Sequence, residues 1–265
     1  SLMFPADGLF RPPLANPKEW RFASGFLTMK VKGTGLGSIP STRSFVGGLA
    51  GFGGQLGIWG SRQRRGCDGV QVNLGAMALS LFDMDETSTP LVNTDFLVGI
   101  PVDVRSGRYS MRARLYHQSS HLGDELILFN PNVKRLDLGF EVLDVLGAAE
   151  GDWWRVYAGL GVVLHSTHPI DRLQLQAGVE LRGDPWTRRF LEPAYVSPVL
   201  ALDVVAWQMR GFGPSFSAKG GLEVTALGER HVRLMVSLLY GFVPFGQFFL
   251  EEELRAFGLE LQLEL

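Results

Sequence analysis

The sequence predicts an all-β fold, a transmembrane antiparallel barrel of about twelve strands. Three observations carry that reading. Apolar and polar residues alternate with a period of two in segment after segment. The segments are long, roughly 9–13 residues, where soluble strands usually run about 5–6. No helical pattern interrupts the series, and no run of 18 or more apolar residues is present to make a transmembrane helix.

The alternation is cleanest from Arg172 to Arg182. Leu173, Leu175, Ala177, Val179 and Leu181 fall on one face, and Arg172, Gln174, Gln176, Gly178, Glu180 and Arg182 on the other. Successive side chains of a strand point to opposite faces, so one face is apolar and the other polar or small. A helix would scatter these charges around its circumference. The same split recurs at the C-terminus, where Phe257, Leu259, Leu261, Leu263 and Leu265 oppose Gly258, Glu260, Gln262 and Glu264. It recurs from Trp154 to Leu164, with Arg155, Tyr157, Gly159, Gly161 and His165 on the polar side. It is less clean from Phe96 to Val104, where Leu97 and Pro101 join the polar set.

Strands are expected at 21–31, 49–60, 70–82, 94–104, 109–119, 134–144, 153–164, 172–182, 196–207, 215–225, 231–241 and 254–265. An even number brings both ends of a single-chain bacterial barrel to the periplasm. The longer connections 32–48, 120–133 and 242–253 then lie outside, and Ser106-Gly107-Arg108 lies inside. The turn at 183–195 is long for its side. Trp153, Trp154, Trp186, Tyr109 and Tyr195 sit near inner ends, where an aromatic girdle belongs. Residues 1–20, rich in Pro, read as a periplasmic leader or a plug, and 21–265 as the barrel. The localisation that follows is the bacterial outer membrane.

Composition excludes other classes. The 265 residues carry a net charge of -2, so no basic excess exists to neutralise nucleic-acid phosphates. The one cysteine, Cys67, forbids an intramolecular disulfide. Ser1-Leu2-Met3-Phe4 lacks a charged start and a long apolar run, so no secretory signal is visible. The Arg62-Gln63-Arg64-Arg65 cluster reads as a solvated turn near lipid phosphates. Arg112, Arg114, Arg155, Arg172, Glu141, Glu180 and Glu260 are expected to pair inside a narrow lumen, so a channel does not follow from the fold. His165-Ser166-Thr167-His168 reads as a solvated outer loop.

One stretch breaks the pattern. In the strand from Tyr109 the lipid-facing set is Met111, Ala113 and Leu115, and the same register continues into His117, Ser119 and His121. Polar groups exposed to hydrocarbon cost free energy unless paired. A local rule broken at one place points to function. An imidazole beside a hydroxyl can take its proton and make an acyl-accepting nucleophile. Such a base needs a third group to fix its tautomer. With Leu136, Leu138, Phe140 and Val142 taken as a lipid face, Asn132 and Lys134 share the outward register. Asn132 is therefore the expected orienter, and Asp137 and Glu141 are expected to face inward. At the headgroup level polar residues cost almost nothing, so the same pair is also compatible with an inert rim.

The stretch Tyr116-His117-Gln118-Ser119 followed by Asn132 resembles two families of outer-membrane lipid hydrolases. Outer-membrane phospholipase A is a twelve-stranded barrel with a His-x-Ser pair and a later Asn on its lipid side. Lipid A deacylase is a smaller barrel with His-x-Ser and a later Glu. Those families usually have Ser-Asn-Gly or Ser-Asn-Ala at the serine, where this chain has Ser119-Ser120-His121. The longer string His117-Gln-Ser-Ser-His-Leu-Gly-Asp-Glu125 is similar to one in an uncharacterised family of exported bacterial proteins, as is Phe10-Arg-Pro-Pro-Leu-Ala-Asn-Pro17. That resemblance implies that His121, Asp124 and Glu125 belong with His117. Imidazole and carboxylate ligands there could hold Ca²⁺ or Zn²⁺, though no standard ligand spacing is present.

The function expected is hydrolysis of a lipid acyl ester, with Ser119 as nucleophile, His117 as base and Asn132 as orienter. The substrate would be a membrane phospholipid or the acylated part of lipopolysaccharide. The alternative is a non-catalytic barrel: a pore, an adhesin or a scaffold in a larger surface complex. A homodimer fits either reading.

Overall fold

The structure is a computed structural model that describes residues 2–5, 8–33, 42–62, 68–129, 135–186, 194–225, 231–246, 248 and 253–264. After a two-residue strand, β1 (Leu2–Met3), twelve long strands follow: β2 (Phe22–Lys32), β3 (Thr42–Arg62), β4 (Gly69–Asp83), β5 (Leu91–Ser106), β6 (Tyr109–Leu122), β7 (Leu138–Glu150), β8 (Trp154–Ser166), β9 (Leu173–Arg182), β10 (Tyr195–Trp207), β11 (Pro214–Thr225), β12 (His231–Phe242) and β13 (Glu253–Glu264). A short helix, α1 (Asp124–Phe129), lies between β6 and β7, and a 3₁₀ turn, Gln208–Arg210, follows β10. The helix lies within the outer connection expected at 120–133, where the sequence shows no helical pattern.

Each strand pairs antiparallel with its neighbour in sequence, and β13 closes the ring onto β2 from Glu253↔Lys32 to Leu263↔Phe22. The fold is thus a closed twelve-strand antiparallel barrel, as the alternation predicts. Closure leaves every barrel strand paired on both sides, the condition for a sheet that lies in lipid. Below Gly51, β3 runs on past the start of β2, and β1 takes up that free edge through Leu2↔Gly60 and Met3↔Trp59. We call the end with the tight turns Gly107-Arg108 and 151–153 the inner end, and the opposite one the outer end.

The outward faces are apolar and open. Phe257 and Leu259 on β13 are each 57% exposed, and Leu234, Val236 and Leu238 on β12 are likewise exposed. A belt of this kind far exceeds the scattered apolar residues of a soluble surface. Tyr109, Trp153, Trp186 and Tyr195 are exposed around the inner end.

The inward faces carry the charge. Lys219 binds Glu260 at 2.6 Å, Arg155 binds Glu180 at 3.1 Å, and Arg233 bridges Glu223 at 2.5 Å and Glu264 at 2.7 Å. Tyr157 donates its hydroxyl to Asp203 at 2.7 Å. The segment before β2 runs through this interior. Leu9, Phe10, Leu14, Ala15, Glu19 and Trp20 are all buried. Glu19 takes a two-pronged contact from Arg112 at 2.8 and 2.7 Å. The Phe10 ring lies between the guanidinium groups of Arg112 and Arg155, 5.0 and 4.9 Å from its centroid. Backbone groups of the segment are tied down as well: Leu14 donates to Glu180 at 2.8 Å, and Ala15 accepts from Ser217 at 2.6 Å.

Two expectations about the lumen are corrected. Arg172 is exposed ahead of β9 and joins no lumenal pair. Glu141 faces outward, because all of β7 has the opposite register from the one expected. Leu138, Phe140 and Val142 are at most 2% exposed and point into the barrel beside Asp144, Leu146 and Ala148. There the lumenal face of β7 packs into an apolar cluster. Val243, Phe245 and Phe248 from the β12–β13 connection and Leu126 of α1 join the same cluster. Gly246 ties the connection down by donating to Asp95 at 3.0 Å, and its φ of 54° and contact with Asn93 leave no room for a Cβ.

Candidate functional site at the outer end of β6 to β8

His117 and Ser119 extend the outward row of Met111, Ala113 and Leu115 on β6, as expected. Across the ladder Glu141 stands opposite His117, and Gly139 opposite Ser119. One strand further, His165 stands opposite Glu141. That last position depends on a bulge. The register runs from Glu141↔His165 to Val142↔Val163, which leaves Leu164 as an extra residue on β8. Regular alternation would send His165 inward with Val163. The bulge re-aims it to the outer face, as bulges often do beside functional sites.

The two imidazoles share one carboxylate. His117 Nδ1 lies 2.8 Å from Glu141 Oε1, and His165 Nδ1 lies 2.8 Å from Oε2. An ionised carboxylate only accepts, so each Nδ1 carries the proton and donates. In the neutral ring each Nε2 then keeps its lone pair, the form a general base needs. The side chains of His117, Glu141 and His165 are 44, 38 and 70% exposed, so the cluster opens outward. The Cε1 of His117 passes 3.5 Å from where a Cβ on Gly139 would stand. Ser119 makes no hydrogen bond to His117 in this conformation among the described residues.

Thr167 fastens β8 to β7 beyond the ladder. Its hydroxyl accepts from the Gly139 amide at 2.9 Å and donates to the Asp137 carbonyl at 2.7 Å. Beside it lies a half-open groove of about 430 Å³ lined by His117, Ser119, His121, Arg135, Gly139 and Thr167, among others. Ser120 points the other way, donating to Asp95 at 2.7 Å.

Of the other residues singled out in the sequence, His121 reaches the groove, where its Nδ1 lies 3.4 Å from Arg135 Nη2. Asp124 and Glu125 sit on α1 instead, away from the groove lining, and Glu125 accepts from Ser88 at 3.1 Å. Asn132 lies outside the described residues. Among the described residues no group of three or more His, Cys, Asp or Glu side chains is placed to hold a metal ion. From the sequence Glu141 reads as inward-facing and His165 as part of a solvated outer loop, so both are set aside there. A period-two reading of 138–150 accepts either face, and a bulge leaves no trace in the alternation.

A family model described as "Protein of unknown function (DUF1207)" matches residues 1–264. The chain belongs to that family. No curated protein sequence matches this DUF1207 member significantly. Among solved structures, it is similar to outer membrane phospholipase A from Escherichia coli, with a TM-score of 0.53, 15% identity and 93% of each chain covered. It is similar also to the calcium-bound outer membrane phospholipase dimer of Salmonella typhi, with a TM-score of 0.52, 14% identity and 93% of each chain covered. The transport unit of the autotransporter AIDA-I from Escherichia coli follows at a TM-score of 0.39 and 12% identity, covering 98% of this chain and 95% of that one. At these identities the likeness is one of fold, that of outer-membrane barrels.

Proposed function

We propose that the protein is an outer-membrane hydrolase of lipid acyl esters. The observation that carries the reading is the outward His117–Glu141 contact at 2.8 Å, on the same strand face as Ser119. Ser119 attacks the ester carbonyl while His117 Nε2 takes its proton and passes it to the alcohol that leaves as the ester C–O bond breaks. Water, deprotonated by the same nitrogen, then releases the fatty acid from Ser119, and Glu141 fixes the imidazole and stabilises the imidazolium throughout. Glu141 takes the orienting role that the sequence assigned to Asn132. The serine–histidine hydrogen bond is made when substrate is bound, since such contacts are commonly loose in the free enzyme. The lipid position of the site gives the substrate class: an ester in the outer leaflet reaches Ser119 without entering the barrel.

The test is acyl-ester hydrolysis by the purified barrel in detergent. Ser119→Ala is expected to lower kcat by at least about 10³-fold. Equal turnover by this variant and the parent would end the proposal.

The competing reading is a non-catalytic barrel. Its pore version is disfavoured by the interior, where residues 9–20 are packed against the lumenal charges and Val243, Phe245 and Phe248 join the apolar cluster of the outer lumen. Unit conductance in planar bilayers would restore it.

A further inference from the structure

We propose that Arg135 and His121 form a phosphate-binding subsite above Ser119, so that the site takes a phosphate-bearing lipid. The inference rests on the hydrolase reading for the ester and on separate residues for the headgroup.

Arg135 is exposed, and among the described residues it pairs with no carboxylate. Among the described residues its polar contact is His121 Nδ1 at 3.4 Å, long for a hydrogen bond. Nδ1 accepts in that contact, which leaves the His121 proton on Nε2. The pair therefore offers the groove a guanidinium fork and a ring N–H. Two such donors side by side suit an anion, and a guanidinium matches two phosphate oxygens at once. The Asp137 carboxylate lines the same groove, and among the described residues it forms no ion pair with Arg135 that would occupy the guanidinium.

Position along the strand gives the order of contacts. His121 lies two residues outward of Ser119 on β6, about 7 Å at strand rise. That is the reach of a glycerol unit, or of an acylated glucosamine, between a phosphate and its acyl esters. Inward of Ser119 the same surface turns apolar. Phe96 stands opposite Ser119, Val98 opposite His117, and Ile100 and Leu143 both opposite Leu115. All of these apolar side chains are exposed. A lipid lying against the barrel thus meets donors at its phosphate, Ser119 at its ester and an apolar strip along its chains. This is the order its own atoms have across a leaflet.

The phosphate could belong to a glycerophospholipid or to lipid A, and the experiment separates them. Fatty-acid release by the full chain in mixed micelles is measured on phosphatidylglycerol, on lipid A and on diacylglycerol, which has the ester but no phosphate. The parent is expected to prefer one phosphate-bearing substrate over diacylglycerol by about tenfold or more in kcat/KM. Arg135→Gln is expected to reduce that preference about tenfold through KM, the worth of one charge-assisted contact, and Arg135→Lys to restore part of it. A second measurement uses the Ser119→Ala protein and an ether-linked phosphatidylglycerol, which cannot be hydrolysed, with binding read by fluorescence titration. Arg135→Gln in that background is expected to weaken binding about tenfold. Equal rates on diacylglycerol and the phosphate lipids, or binding indifferent to Arg135, would overturn the subsite. Arg135-dependent binding without ester hydrolysis would uphold the subsite and refute the hydrolase.

Discussion

In the inner half of the barrel, Arg155, Lys219 and Arg233 point inward onto carboxylates, and the lipid face is Leu, Val and Phe. A few residues outward on β6, β7 and β8 the arrangement reverses. Leu138, Phe140, Val142 and Val163 line the lumen, and His117, Glu141 and His165 face out. Magnitudes explain why both are stable. A charged side chain on the lipid face costs about 2–4 kcal/mol at the bilayer midplane but only about 0–1 near the interfaces. An apolar residue buried in a packed cluster gains about 1.5–3 kcal/mol. At the outer end, where Val243, Phe245 and Phe248 pack into one cluster with the lumenal face of β7, the second quantity exceeds the first. The polar-in, apolar-out rule follows what each face packs against, and on β7 it inverts where the lumenal face enters an apolar cluster.

The comparison can be broken at its outward side first. Glu141→Gln replaces a group that accepts from both imidazoles with one that has a single acceptor oxygen and a donor amide. One histidine must then change tautomer. Acyl-ester kcat/KM is expected to fall roughly 10⁴-fold, or about 5.5 kcal/mol, with heat-induced unfolding of the barrel in detergent unchanged. Unimpaired hydrolysis would remove Glu141 from the mechanism.

The inner lumen comes next. Arg112→Ala removes the two-pronged partner of the buried Glu19 carboxylate and leaves it Arg114 at 3.7 Å, at an expected cost of about 3 kcal/mol in urea unfolding. If the variant were as stable as the parent, residues 9–20 would not be what holds that half together. In the outer lumen, Phe140→Ala removes a fully buried ring from the apolar cluster and is expected to cost about 3 kcal/mol by the same measurement. A loss below about 1 kcal/mol would show that the outer lumen admits water. The smallest effect is expected at His165. Changing it to Gln leaves Glu141 held by one imidazole and should lower kcat about tenfold, near 1.4 kcal/mol. An unaltered pH–rate profile would reduce His165 to a surface contact.

How much of this was legible in the sequence follows from the same contrast. Ten of the twelve expected strands match the observed ones with small end shifts, because one face of each is apolar and the other polar, and an eleventh, expected at 49–60, starts seven residues earlier, at Thr42. The twelfth, expected at 134–144, is found at Leu138–Glu150 with its faces exchanged. In Leu138-Gly-Phe-Glu-Val-Leu-Asp-Val-Leu both faces are largely apolar, so periodicity alone does not choose between them. The choice is made by the direct pairing of Glu141 with His117, a contact between strands. His117 and Ser119 could be placed because β6 alternates cleanly. His165 could not, since the bulge at Leu164 shifts it by one residue. The contacts of residues 9–20 carry no periodic signal at all, because that stretch is neither helix nor strand.

That same stretch bears on how the chain assembles. It directly precedes β2, yet its partners come from the far end: Leu14 binds Glu180, Ala15 binds Ser217, and Arg21 binds Gln262, 241 positions away. These are among the most non-local contacts a chain of this length can make, and such contacts form late. The seam between β2 and β13 joins the same two ends. Ring closure at the seam and the seating of the interior segment thus tie together the same two ends of the barrel, so loosening either is felt by the other.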